Sequence, residues 1–136
     1  MKTTAKKSNI KLGDFGDREL IHLYQISRLL EKKKYDAVII EGRKALADYP
    51  NDEHFYMVVA IACTEEGDFK AALDILEKAE SRFPDDYQIL FQLGKVYYGL
   101  WNLDASEHYY QESYDATPED YTEARSDCLN ELAIVS

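Results

Sequence analysis

Apolar residues recur at three- and four-residue spacing along most of the chain, from Arg18 to Val135. This spacing places them on one face of an α-helix. Short polar or glycine-containing breaks such as Gly67-Asp68 and Trp101-Asn102 interrupt the pattern. The pattern therefore predicts seven helices, at Arg18–Lys32, Asp36–Asp48, Glu53–Glu66, Phe69–Arg82, Tyr87–Leu100, Leu103–Ala116 and about 119–135.

The helical pattern repeats at a fixed interval along the chain. The chain has three prolines, Pro50, Pro84 and Pro118, and they are spaced 34 residues apart. A fixed period of 34 residues is the signature of a repeat protein. The repeats are residues 19–52, 53–86 and 87–120, each holding two helices. Small residues recur at matching positions, which lets paired helices approach closely: Ala60 and Gly94; Ala72 and Ser106; Ala45, Ala79 and Ser113. Large apolar residues also recur at one equivalent position of the three repeats, namely Tyr35, Phe69 and Leu103, and we expect them to pack in a column.

The residues at the predicted helix ends also favour this arrangement. Asn51-Asp52 and Asp85-Asp86 follow two of the prolines and can accept hydrogen bonds from the first amides of the next helix. Gly67 can adopt the left-handed conformation at a helix end. We therefore interpret both acidic pairs as helix caps and not as catalytic carboxylates.

The third repeat carries a recognisable family pattern in Leu90, Leu93, Gly94, Tyr97, Ser106, Tyr110 and Pro118. On these residues the chain resembles the tetratricopeptide repeat (TPR) family over residues 19 to about 120. The first repeat departs from the pattern at His22, Gln25, Ile26 and Gly42. The resemblance implies an all-α fold, a right-handed α-solenoid of three helix-turn-helix hairpins with a C-terminal capping helix.

The predicted domain organisation follows from where the periodicity begins and ends. Residues 1–17 lack sustained periodicity and are interpreted as a mobile N-terminal tail, so residues 18–136 form a single TPR domain. In the capping helix, Tyr121, Ala124, Cys128, Leu132 and Val135 form one apolar stripe, while Glu123, Arg125, Asp127 and Glu131 form a polar face.

The chain has a net charge of -10, which argues against binding to nucleic acid or to an anionic membrane. It has no apolar run long enough to span a bilayer and no secretory signal. Cys63 and Cys128 lie at apolar helical positions without a CxxC motif, which favours a reducing compartment and a cytoplasmic location.

The family resemblance implies that the first helix of each hairpin lines the concave face. Counted along the register, this face carries the candidate partner-binding residues Leu23, Tyr24, Leu30, Met57, Val58, Ile61, Phe91, Gln92, Lys95 and Tyr98. Most are apolar, and an exposed apolar patch usually marks an interface. The clamp that related domains use for a C-terminal carboxylate is absent, because its columns hold Leu23, Ser27, Val58, Gln88 and Gln92.

These features predict a non-enzymatic scaffold that binds an apolar or amphipathic protein segment, with no cofactor and no metal. His22, His54 and His108 lie in different hairpins, and no nucleotide or metalloprotease motif is present. Two alternatives stay open: a secretion-type chaperone for an apolar cargo segment, and a homo-oligomer, for example a dimer, whose interface is the groove. The groove could also hold the chain's own tail, through Ile10, Leu12 and Phe15, or some of its residues could belong to the core.

Overall fold

The computed structural model describes residues 16–136. Within this part of the chain there are seven α-helices and no strands, which confirms the predicted all-α helical repeat. The predicted tail, residues 1–17, lies almost wholly outside the described residues. The helices are α1 Asp17–Glu31, α2 Tyr35–Asp48, α3 Glu53–Glu65, α4 Phe69–Arg82, α5 Tyr87–Gly99, α6 Leu103–Ala116 and α7 Thr122–Val135.

The helices stack as consecutive antiparallel hairpins. Each helix packs against the next one along the chain, and the first helices of successive hairpins also pack together, α1 with α3 and α3 with α5. These first helices therefore form one side of the stack. The central helix α3 buries seven residues, whereas α1 buries only Ile26.

The hairpin turns share one backbone conformation at equivalent positions of the three repeats. Lys33, Gly67 and Trp101 have φ of 60°, 80° and 62°, in the left-handed region. In each turn the amide of this residue donates to the carbonyl three residues before it, and the next amide donates to the carbonyl five residues before that amide. This is the Schellman motif, which satisfies carbonyls at the end of the first helix.

Side-chain oxygens cap the starts of four helices, α3 to α6, and Asp52 and Asp86 do so as the sequence predicts. Asp52 Oδ1 accepts from the His54 amide at 3.0 Å, and Asp86 Oδ1 accepts from the Gln88 amide at 2.9 Å. Asp68 and Asn102, which occupy equivalent positions in successive repeats, cap α4 and α6 in the same way.

Large and small residues alternate between facing helices. The Tyr110 ring lies directly beneath Gly94, where an added Cβ would come within 2.6 Å of it. The equivalent positions hold Ala60 with Leu76 in the second hairpin and Ile26 with Gly42 in the first. In the first hairpin the large residue, Ile26, is therefore on the first helix and the small residue, Gly42, is on the second. Val59 of α3 fills the space at Gly42, since an added Cβ there would collide with a Val59 methyl group.

Two expectations about packing need correction. Leu103 is 39% exposed and does not continue the apolar column of Tyr35 and Phe69, because no further hairpin within residues 16–136 covers it. The outer surface of α7 is not wholly polar, since Leu129 and Ile134 are exposed there. The capping helix also starts at Thr122, because the chain from Pro118 to Tyr121 forms a turn in which the Tyr121 amide donates to the Pro118 carbonyl.

Candidate protein-binding cleft

A cleft of about 380 Å³ opens between α3, α5 and α7. Met57 and Phe91 form its apolar part, and both are half-buried. Gln88 and Gln92 come from α5, while Glu123, Ala124, Asp127 and Cys128 come from α7; His54, Tyr87 and Ser113 complete the lining. We call this space the α3–α5–α7 cleft.

Helix α7 forms one wall of the cleft because it is fixed on α6. The Arg125 guanidinium lies 4.2 Å from the centre of the Tyr114 ring, and its Nη1 donates to the Thr117 carbonyl at 3.0 Å. The Cys128 thiol donates to Ser113 Oγ at 3.4 Å. Ser113 Oγ in turn donates to the Tyr87 carbonyl at 2.8 Å, which links the wall to the start of α5.

Phe91, on α5 at the opposite side of the cleft, is held in place by a ring of α6. The centres of the Phe91 and Tyr110 rings are 5.4 Å apart, and Tyr110 is itself fully buried under Gly94. The Lys95 ammonium lies 6.0 Å from the centre of the Phe91 ring and is exposed. Phe91 therefore has a fixed position while part of its surface faces the cleft.

Among the ten candidate residues, the α3–α5–α7 cleft brings together Met57, Phe91 and Gln92. Val58 is only 8% exposed and belongs to the core, so it presents little surface to a partner. The others lie outside the lining of this cleft: half-buried Leu23, Leu30 and Ile61, and exposed Tyr24, Lys95 and Tyr98. The Tyr24 hydroxyl accepts from Arg28 Nη1 at 2.9 Å, which holds this ring against its own helix.

Sequence reasoning assigned Glu123 and Asp127 to the polar face of the cap and missed them as cleft residues. They are one helical turn apart and directly precede Ala124 and Cys128 in the sequence. Residues beside a buried stripe lie at its edge. That adjacency is the signal that could have found them.

A second exposed apolar group lies at the turn of the third hairpin. Trp101 is 79% exposed, and its ring centre is 6.2 Å from that of Tyr98. Sequence reasoning treated Trp101 only as a helix break. It lies beside Leu103, so the end of this hairpin presents three apolar side chains to solvent.

Carboxyl groups pair between the starts of successive first helices, from α1 to α3 and from α3 to α5. A hydrogen bond shared with Asp86, followed by burial, raises the pKa of Glu53 to about 7. Glu19, at the equivalent position of the first repeat, pairs with Asp52 in the same way, and this hydrogen bond is the main reason that its pKa is raised. These pairs lie where successive repeats meet, so their ionisation acts on the packing of the stack.

The described residues offer little to nucleophilic chemistry. Burial raises the pKa of both the Cys63 and Cys128 thiols, which disfavours the reactive thiolate. His22 packs edge-on against Tyr49, His54 Nδ1 lies 2.9 Å from Asp52 Oδ1, and His108 Nε2 lies 3.0 Å from Glu112 Oε2. None of the seven helices is long and apolar enough to cross a bilayer.

Residues 64–126 match the family model of the tetratricopeptide repeat. The protein is a TPR-type helical repeat. This match runs from the end of α3 through α4, α5 and α6 to the start of α7, and it confirms the resemblance that the sequence columns indicate. No curated protein sequence matches the chain significantly.

Solved structures with the same fold include both TPR domains and secretion chaperones. The first TPR domain of human RPAP3 superposes with a TM-score of 0.77 at 17% identity, covering 86% of this chain and 88% of the other. The Yersinia enterocolitica type III secretion translocator chaperone SycD gives 0.83 at 11% identity, covering 88% and 92%. PcrH in complex with the chaperone-binding region of PopD gives 0.79 at 13% identity, covering 88% and 92%, and PcrH was also solved from Pseudomonas aeruginosa. At these identities the similarity shows the fold alone.

Proposed function

We propose that this protein is a non-enzymatic interaction module that binds a segment of another protein in the α3–α5–α7 cleft. The observation that carries the proposal is the open cleft itself, in which Met57 and Phe91 present half-buried apolar surface beside polar side chains. Ligand sites have this composition, with apolar walls and a few polar groups that fix orientation. Residues 18–136 form the domain that performs this function, and the two buried thiols favour a cytoplasmic location.

The structural neighbours support a peptide-sized ligand. PcrH was solved with a region of PopD, SycD with a peptide of the translocator YopD, and the first TPR of Spaghetti (RPAP3) with the HSP90 peptide SRMEEVD. These proteins share the fold of this chain and bind protein segments. A helical repeat offers such segments a preformed surface without any chemistry of its own.

A secretion-type chaperone is the second candidate. It is favoured by the similarity to SycD, to PcrH and to a type III secretion complex from Aeromonas hydrophila, whose TM-score is 0.82. The cargo of such a chaperone would occupy the same cleft. SycD was also solved as an alternative dimer, and for this chain a dimer through the groove is the third candidate.

The test compares capture of a partner from host extract by the wild-type protein and by a Met57→Glu/Phe91→Glu double variant. The matched control is Ile40→Glu/Ile134→Glu, which places the same charges on exposed apolar positions outside the cleft. We expect the cleft variant to lose the partner and the control to keep it. Because Met57 and Phe91 are half-buried, thermal unfolding is measured for each variant, and the milder Met57→Ala is included.

Equal capture by the wild type and the cleft variant would refute binding in the cleft. Sedimentation velocity separates the third candidate, since a dimer that dissociates in the cleft variant would identify the cleft as a self-association surface. Co-expression with a secreted cargo separates the chaperone. A chaperone raises the soluble amount of its cargo, whereas a simple adaptor leaves it unchanged.

A further inference from the structure

The charges around the α3–α5–α7 cleft are unevenly placed. Within the described residues, the lining contains two carboxylates, Glu123 and Asp127, and no lysine or arginine. Both carboxylates are exposed and are one turn apart on α7. Like charges at this spacing repel each other and destabilise the helix slightly. A cation placed between them would relieve this repulsion.

The cation of α7 itself is held elsewhere. Arg125 lies between Glu123 and Asp127 in the sequence, but its guanidinium stacks on Tyr114 and donates to the Thr117 carbonyl. His54, at the rim, is paired with the Asp52 carboxylate. The two α7 carboxylates therefore face the cleft without a partner of opposite charge among the described side chains.

The basic residue Lys95 lies on α5, and the two carboxylates lie on α7. It lies one turn beyond Phe91 on α5, toward the third hairpin turn, whereas Glu123 lies in the first turn of α7. The cleft thus has an apolar floor with acidic groups on the α7 side, and the basic group of Lys95 lies outside its lining.

We propose that the α3–α5–α7 cleft takes a segment of a separate protein in which a lysine or arginine lies next to a large apolar side chain. This inference rests on the proposed function and specifies the chemistry of its ligand. The apolar side chain contacts Met57 and Phe91, and the basic group lies between Glu123 and Asp127. The net charge of -10 further favours the approach of a basic segment.

The first experiment measures the binding of short fluorescent peptides by anisotropy. Two peptides share a leucine and a phenylalanine and differ only in a lysine or a glutamate beside them, and a third carries serine in place of both apolar residues. One exposed ion pair is worth on the order of 1 kcal/mol, about fivefold in affinity, at low salt. We expect the lysine peptide to bind the full chain about fivefold more tightly than the glutamate peptide. This preference should shrink as salt is added.

The decisive variant is Glu123→Gln/Asp127→Asn. Its matched control is Asp104→Asn/Glu107→Gln on α6, which also removes one first-turn acid and one later acid from exposed positions outside the cleft. We expect the cleft variant to bind both charged peptides within about twofold of each other and the control to keep the preference for lysine. Circular dichroism establishes that both variants are folded.

The remaining outcomes distinguish the inferred charge of the ligand from the proposed binding of a protein segment in the cleft. Equal binding of the lysine and glutamate peptides, with binding lost for the serine peptide, would overturn the charge inference and keep the proposed function. Binding that is insensitive to the serine substitutions and to Met57→Ala would overturn the proposed function as well.

Two further outcomes would name a different occupant and overturn the proposal of a separate partner. Binding of the lysine peptide only after Lys6→Gln/Lys7→Gln/Lys11→Gln would assign the cleft to the chain's own N-terminal residues. If the lysine peptide binds only at protein concentrations where sedimentation shows a monomer, a second copy of the chain occupies the cleft at higher concentrations.

Discussion

Replacing Lys33 by glycine should stabilise the protein, although glycine normally weakens helical structure. Lys33 has φ of 60°, and its equivalent in the second hairpin is Gly67, with φ of 80°. A left-handed conformation costs a residue with a Cβ about 1–2 kcal/mol. Glycine avoids this cost but loses about 0.5–1 kcal/mol through the greater freedom of the unfolded chain. The expected net gain for Lys33→Gly is therefore about 0.5 kcal/mol, a rise of about 2 °C in Tm.

The neighbouring lysine is a matched control. Lys32 is also exposed, but its φ is -83°, which any residue adopts without strain. Lys32→Gly thus gives the unfolded chain more freedom without relieving any strain in the folded state. We expect it to lower the free energy of unfolding by about 0.5–1 kcal/mol. Gly67→Ala gives the reverse test. A Cβ there would touch nothing within 4 Å, so its expected net cost of about 0.5 kcal/mol comes from the backbone alone.

Urea unfolding followed by far-UV circular dichroism resolves these changes, because Lys33→Gly and Lys32→Gly should differ by about 1 kcal/mol or more. An unchanged m-value would show that the denatured state is similar in each variant. If Lys33→Gly destabilises the protein as much as Lys32→Gly, the left-handed turn carries no strain and the reasoning is wrong.

Three further substitutions test the packing and the carboxyl pairs. Gly94→Ala should cost about 1–3 kcal/mol in urea unfolding, because the new Cβ would come within 2.6 Å of the Tyr110 ring; a neutral result would mean that the ring moves freely. Ser106→Ala should cost about 1 kcal/mol in the same assay, because Ser106 Oγ donates to the Gly94 carbonyl at 2.8 Å; no loss would mean that packing alone fills this site. Glu53 has a folded-state pKa of about 7, above its usual 4.5, so the wild type should lose stability as the pH rises through this interval. Glu53→Gln should abolish that loss, so the variant should match the wild type in stability near pH 4.5 and exceed it at pH 8. The difference at pH 8 should be less than about 1 kcal/mol, because Glu53 is partly exposed. If the stability of the variant still falls with pH over this interval, another group causes the effect.

The repeat made most of the fold predictable from the sequence. Helix bounds fell within one residue for the first six helices, because each carries polar stop residues such as Asp52 and Asp86 at a fixed register. Two of the three left-handed residues in the hairpin turns escaped prediction because they are not glycine. Lys33 and Trp101 adopt this conformation because the turn demands it.

The site was less predictable because it depends on how helices rotate about their axes. Val58 was assigned to the groove, but α3 packs against α1, α2, α4 and α5, so more of its surface is buried than that of an outer helix. Glu123 and Asp127 lie on α7, beyond the last full repeat, where no column fixes the register. Their direction is set by the contact of Arg125 with Tyr114, which no periodicity reveals.

The unequal burial of the first helices has a consequence for amide exchange. In a stack where each unit contacts only its neighbours, an end unit can open without disturbing the rest. Helix α1 fully buries a single residue, Ile26, whereas α3 buries seven. The amides of α1 should exchange with solvent deuterium through a low-energy local opening, whereas those of α3 should exchange only when the whole domain unfolds. Helix α7, at the other end of the described stack, likewise buries only Cys128, so protection would rise from both ends toward α3. Local opening of α7 would remove one wall of the α3–α5–α7 cleft, which therefore would form and open without unfolding of the central helices.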